Sequence, residues 1–136
     1  MTEETQSAKM QSPETVTAAL VVIGEEILSG RTADSNTPYI AVYLGKAGIA
    51  LREVRVVADV EAEIAEAVNA LRRRYSYVFT TGGIGPTHDD VTTDAIGLAF
   101  DVPVAINDEA VEAMRLQYRP EDLTATRLRM ARIPEG

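Results

Sequence analysis

The sequence predicts an α/β protein: a mostly parallel sheet with helices on both faces. Three observations predict it. Apolar, β-branched runs alternate with stretches of helical periodicity, in the order strand, helix, strand, helix, strand, helix. The first run, "AALVVIG" (Ala18 to Gly24), is continuously apolar, as in a strand buried on both faces of a parallel sheet. The third run, "YSYVFTT", leads through a glycine-rich loop, "GGIGPTHDD", into another helical stretch.

Residues 1–17 are polar, lack an apolar signal core and read as a disordered tail ahead of a domain over 18–136. After the first strand, "GEEILSGRTADSN" reads as a loop. "TPYIAVYLGKAG" then reads as a helix with Thr37 as cap, Pro38 in its first turn, and Ile40, Leu44 and Ala47 on one face. Asp34, Ser35 and Asn36 prepare its start. "IALREVRVVAD" reads as a second strand, with Leu51 and then Val54 and Val56 as its apolar positions. "VEAEIAEAVNALRRR" is the clearest helix: Ile64, Ala67, Val68 and Leu71 form a stripe, and Arg72 to Arg74 are a solvated C-terminal end. "VTTDAIGLAF" is the third helix and "VPVAI" a short strand. "NDEAVEAMRLQY" is a helix capped by Asn107, and "EDLTATRLRMA" holds a last helical stretch.

In such sheets ligands bind at the carboxyl ends of the strands, where the winding reverses. Gly24-Glu25-Glu26, Asp59 and Thr81 to Asp90 all fall at such ends. The chain of 136 residues carries a net charge of -8 and 5% aromatic residues, which argues against nucleic acid as a partner. It has no Cys, one His and no apolar run of membrane-spanning length. Thiolate, Ser-His-Asp and Cys-type zinc chemistry are excluded, and no membrane partner is expected. Cytoplasm is the default location.

The loop lacks the Lys-Ser/Thr of a P-loop and the third glycine of the dinucleotide fingerprint. It still stands between a strand and a helix, where free N–H groups and the helix dipole favour anions. A turn shaped only for packing is the alternative. Asp89 and Asp90 read either as helix caps or as carboxylates that meet a phosphate through a divalent cation. A bare carboxylate about 4 Å from a phosphate costs several kcal/mol, whereas magnesium typically bridges one or two carboxylates and substrate phosphates. A ligand with a phosphate at one end and hydrogen-bond donors at the other, such as a pterin or purine, also resolves the conflict. Asp59 reads either as a cap for the following helix or as a ligand-binding acid. His88 reads as an exposed bystander, and Thr92 and Thr93 as caps or phosphate donors. Arg127, Arg129 and Arg132 form no clean helical face and receive no function.

"TTGGIGPTHDDVTTDAI", with "GEEILSGRTADSN" and "VVAD" upstream, resembles the molybdopterin-binding domain family, over about Ala18 to the C-terminus. Within it, the "GGIGPTHDD" form most resembles the competence/damage-inducible protein A branch. The resemblance implies a three-layer α/β/α sandwich. It implies that Thr81, Gly82, Gly83, Ile84, Gly85, Pro86 and Thr92 bind the ligand's phosphate end. It implies that Asp59 and Asp90 grip the pterin and support catalysis, with Asp89 and Asp90 as metal ligands. The implied ligand is molybdopterin or a nucleotide, with magnesium or another divalent metal as cofactor, and a homo-dimer or homo-trimer as the assembly. Cofactor-pathway relatives adenylylate molybdopterin or insert its metal. Relatives in the other branch resemble divalent-metal-dependent ADP-ribose pyrophosphatases. Family domains usually continue through another strand and a Leu-Pro-Gly turn, whereas this chain stops at "RIPEG". A non-catalytic oligomerising module is therefore a third expectation.

Overall fold

The computed structural model describes residues 15–136. Of the tail expected over 1–17, residues 1–14 lie outside the described residues, and strand β1 already begins at Val16. The elements run β1 Val16–Ile23, α1 Glu25–Leu28, α2 Asn36–Lys46, β2 Ile49–Val57, α3 Glu61–Arg72, β3 Tyr77–Thr81, α4 Thr92–Phe100, β4 Val104–Ile106, α5 Asp108–Arg115, α6 Ala125–Leu128 and β5 Arg132–Pro134. Short 3-10 turns flank α6 at Pro120–Asp122 and Arg129–Ala131.

β1 is central because it is the most apolar strand. The order is β2-β1-β3, both pairings parallel, and Ala18 to Ile23 are all buried. Alternate residues of β1 serve the two faces. Ala19, Val21 and Ile23 form one core with Ile64, Ala65, Ala67, Val68 and Leu71 of α3 and Ala95 and Ala99 of α4. The stripe expected on α3 is thus the face that packs. Right-handed crossovers put α2 on the opposite face, where it lies along β2 and buries Leu44.

β2 departs from simple alternation. Its register against β1 shifts between Ala18 and Ala19, whose partners are Leu51 and Glu53, so Arg52 is an extra residue. This explains the spacing of three between Leu51 and Val54. It does not make Val54 and Val56 core: each is 38% exposed, because β2 is an edge strand and the short α2 covers little of it. Glu53 and Arg55 take the half-buried positions on the α3 face, tied to Arg74 and Tyr75. The end of α3 is therefore not wholly solvated: Arg74 bonds Glu53, and Arg72 stacks over the Phe100 ring.

Two features escaped the sequence reading. The "EEIL" loop contains the single-turn helix α1. The last residues form a strand, β5, paired antiparallel with β4 as a separate ribbon. Asn107 caps α5 as expected, accepting from the Ala110 N–H at 2.9 Å. Thr37 does not cap α2; the Asp34 carboxylate does, accepting from the N–H groups of Asn36 and Thr37 and from the Thr37 hydroxyl. That hydroxyl bond is the main reason the Asp34 carboxyl is held below its ordinary value.

Candidate functional site

The parallel sheet reverses its winding at β1, since β2 and β3 flank it on either side. The carboxyl ends of β1 and β3 therefore open a crevice, and the glycine loop lies there. Gly82 and Gly83 have φ of +86° and +65°, a conformation that side chains disfavour. A Cβ on Gly82 would stand 2.0 Å from the carbonyl oxygen of Ile23, at the end of β1. The loop is thus pressed against the central strand at backbone distance, and only glycine allows it.

Residues of α4 and the loop itself hold this shape. Thr92 is buried and donates its hydroxyl to the Gly82 carbonyl at 2.9 Å, while its N–H donates to Gly83 at 3.1 Å. Thr92 therefore stands behind the loop, and Thr93 is the residue of the pair that lines the cavity in front. Asp90 turns onto its own loop. Its Oδ2 accepts from the Thr87 N–H at 3.0 Å and the Thr87 hydroxyl at 2.8 Å. Neither aspartate caps α4, whose cap position is Val91 with no side-chain bond. Asp89 is 84% exposed on its side chain and lies 3.3 Å from His88, outside the cavity.

The cavity is small, about 30 Å³. That is more than the roughly 10–15 Å³ needed to seat one water, so a small polar group of a ligand enters and the bulk of the molecule stays outside. Gly83, Ile84, Gly85 and Asp90 line one side. Arg129, Met130 and Arg132 line the other. Arg129 and Arg132 were assigned no function from sequence. They are carried in by a segment about 40 residues downstream, anchored by the fully buried Ala131, whose carbonyl accepts from Asn107 N–H at 2.8 Å. Arg132 is fixed by a two-pronged bridge to Asp94 of α4, at 2.6 and 3.2 Å, which pushes its guanidinium pKa up. The available signal was three arginines within six residues of an otherwise acidic chain.

Asp59 has a different partner from the one expected. It does not cap α3; its Oδ2 accepts from the backbone N–H of Glu25 at 3.0 Å, at the start of α1. Gly24 N–H also donates to Val57 at 3.0 Å, so the loops after β1 and β2 are tied together. Asp59 and the Asp90 loop follow strands on opposite sides of β1, a separation of two strand spacings, or roughly 10 Å. Thr81 ends β3, and neither it nor Pro86 lines the cavity, whereas Ile84 does and is 62% exposed. Among the described residues no group of three or more His, Cys, Asp or Glu side chains is placed to hold a metal. Asp90 is the one acid that lines the cavity, so the described residues supply no ready-made metal centre.

A larger groove of about 540 Å³ lies elsewhere, lined by Ile106, Val111, Tyr118 and Leu123. It contains none of the glycine-loop residues. No helix among the described residues is long and apolar enough to cross a membrane.

The fold is shared with known proteins. A crystal structure of the protein CinA from Thermoplasma acidophilum, with unknown function, superposes with a TM-score of 0.79 at 33% identity, covering 87% of this chain and 70% of that one. The tungsten cofactor synthesizing protein MoaB from Pyrococcus furiosus matches with a TM-score of 0.59 at 25% identity, over 85% of this chain and 69% of that one. A "Probable FAD synthase" of Caenorhabditis elegans is 40% identical over 102 residues, which are 75% of this chain and 20% of that protein. A protein of Metallosphaera sedula is 37% identical over 123 residues. The chain spans 46% of that protein's length and 88% of its own is matched. The model of the probable molybdopterin binding domain matches residues 19–133, and the chain belongs to that family.

Proposed function

We propose that the domain binds a phosphorylated pterin, molybdopterin, in a step of molybdenum cofactor biosynthesis, with the phosphate end at Gly83 to Gly85. The observation that carries this reading is the glycine loop locked against β1, with a small cavity lined by Arg129, by Arg132 paired to Asp94, and by the Asp90 carboxylate. Backbone N–H groups there, at the entrance to α4, favour an anion. The family membership supports the pterin as the body of the ligand. Asp59, just past the end of β2 and away from the cavity, has one carboxylate oxygen bonded to Glu25 N–H. Its other oxygen is the one offered to pterin N–H donors.

Gly85→Ala tests this. A Cβ at Gly85 would stand 2.3 Å from the Asp90 carboxylate, a side-chain tip that can move. The fold should survive while the displaced carboxylate intrudes on the cavity. The expected result is molybdopterin binding weakened at least about tenfold with thermal stability little changed. Unchanged affinity would remove the loop from the site.

A second reading is a metal-dependent pyrophosphatase acting on ADP-ribose or a related dinucleotide. The relationship to a protein named for FAD synthesis favours it, since FAD is also a pyrophosphate-linked adenosine compound. In that reading Asp89 and Asp90 would hold a divalent ion, which would supply charge neutralisation at the pyrophosphate. AMP release from ADP-ribose that requires magnesium and is lost in Asp89→Ala supports it; release that Asp89→Ala leaves intact counts against it.

A further inference from the structure

We propose that Arg129 is the cationic ligand of the anion at the glycine loop, reaching it from the 3-10 turn at Arg129–Ala131. This deepens the anion-binding reading above and rests on it. The three arginines of the segment are in different states. Arg127 is engaged: its Nη1 donates to the Asp122 carbonyl at 2.8 Å, and its guanidinium stacks 4.8 Å over the Tyr118 ring. Arg132 is neutralised by its two bonds to Asp94. Arg129 is the remaining one. Its Nε is buried without a hydrogen-bond partner among the described residues, and the residue lines the cavity opposite Gly83 and Gly85.

A buried donor left unpaired destabilises the free protein. An unpaired buried donor points to a group that completes the site, such as a water or an ion, and a guanidinium suits a phosphate because it donates in a planar fork. Arg132 supports this division of labour. Bound to Asp94, it holds the turn against α4 while adding little net charge, and so leaves the free charge on Arg129. The chemical class selected is an oxyanion tip, a phosphate monoester or a pyrophosphate. A neutral pterin end offers Arg129 carbonyl and ring-nitrogen acceptors but no charge to pair with.

The test is calorimetric titration of the full chain and its Arg129→Met variant with inorganic pyrophosphate and with molybdopterin, alongside thermal unfolding of both without ligand. The expected result is affinity for either probe reduced about ten- to a hundredfold in Arg129→Met. Ligand-free stability should be equal or higher, which a merely structural arginine would not give. If the variant binds molybdopterin as tightly as the wild type, Arg129 is not the ligand and the pterin reading stands. If the wild type binds pyrophosphate in an Arg129-dependent way but molybdopterin no better, Arg129 stands and the pterin reading fails. If the folded wild type binds neither probe, both are overturned.

Discussion

The hydroxyl of Thr92 donates to the carbonyl oxygen of Gly82 at 2.9 Å, joining the first residue of α4 to the start of the glycine loop. Thr92 is 1% exposed, so this bond is made away from water. Replacing it by Val keeps the shape but leaves the carbonyl without that donor. Thr92→Val is expected to cost about 1–3 kcal/mol in urea-induced unfolding and to weaken ligand binding by loosening the loop. Thr92→Ser, which keeps the hydroxyl, should retain binding. Equal binding by all three proteins would show that the loop does not depend on this bond.

The backbone conformation of the loop is separable from its close packing. Gly48 and Gly82 have similar φ, +78° and +86°. A Cβ at Gly48 meets open space, whereas one at Gly82 meets the Ile23 carbonyl at 2.0 Å. Gly48→Ala should therefore cost about 1–2 kcal/mol from its left-handed backbone alone. Gly82→Ala should cost clearly more, because two backbones must part. Thermal unfolding of the two variants measures the difference; similar losses would mean that the loop moves freely away from β1.

Glu53 links the edge of the sheet to the end of α3 and should shape the acid stability. The bond from Arg55 first, then that from the Tyr75 hydroxyl, holds its carboxyl below the ordinary 4.5. A depressed carboxyl stabilises the fold above its unfolded value, and that contribution is lost as pH falls from about 4.5 through the folded value. Glu53→Gln should therefore flatten the fall of stability with acid, read as unfolding midpoints from neutrality to pH ~3. The same bond raises the Tyr75 hydroxyl above 10.0, so its contribution is present below that pH and lost above it. Parallel curves for the two proteins in acid would show that Glu53 does not contribute.

Local patterns carried most of the fold. β1 was legible from its unbroken apolar run and α3 from its stripe, because each is decided by residues close in sequence. The glycine loop was legible as a special conformation for the same reason. What could not be read was non-local. Asp59 read as either a cap for α3 or a ligand-binding acid, and its partner is the N–H of Glu25, 34 residues away. The β2 bulge keeps Leu51, Val54 and Val56 on one face, but edge placement leaves Val54 and Val56 partly exposed. The three-residue strand β5 is too short to have a period, although its pairing with β4 brings Arg129 and Arg132 to the site. The positive side of the cavity was therefore invisible until the ribbon was in place.

The most direct test of the central claim is titration of the purified chain with molybdopterin and with its dephosphorylated form. The account predicts saturable one-to-one binding of molybdopterin and affinity at least about tenfold weaker once the phosphate is removed. Equal affinity for the two forms, or no saturable binding by a chain shown to be folded, would contradict the glycine loop as a phosphate site.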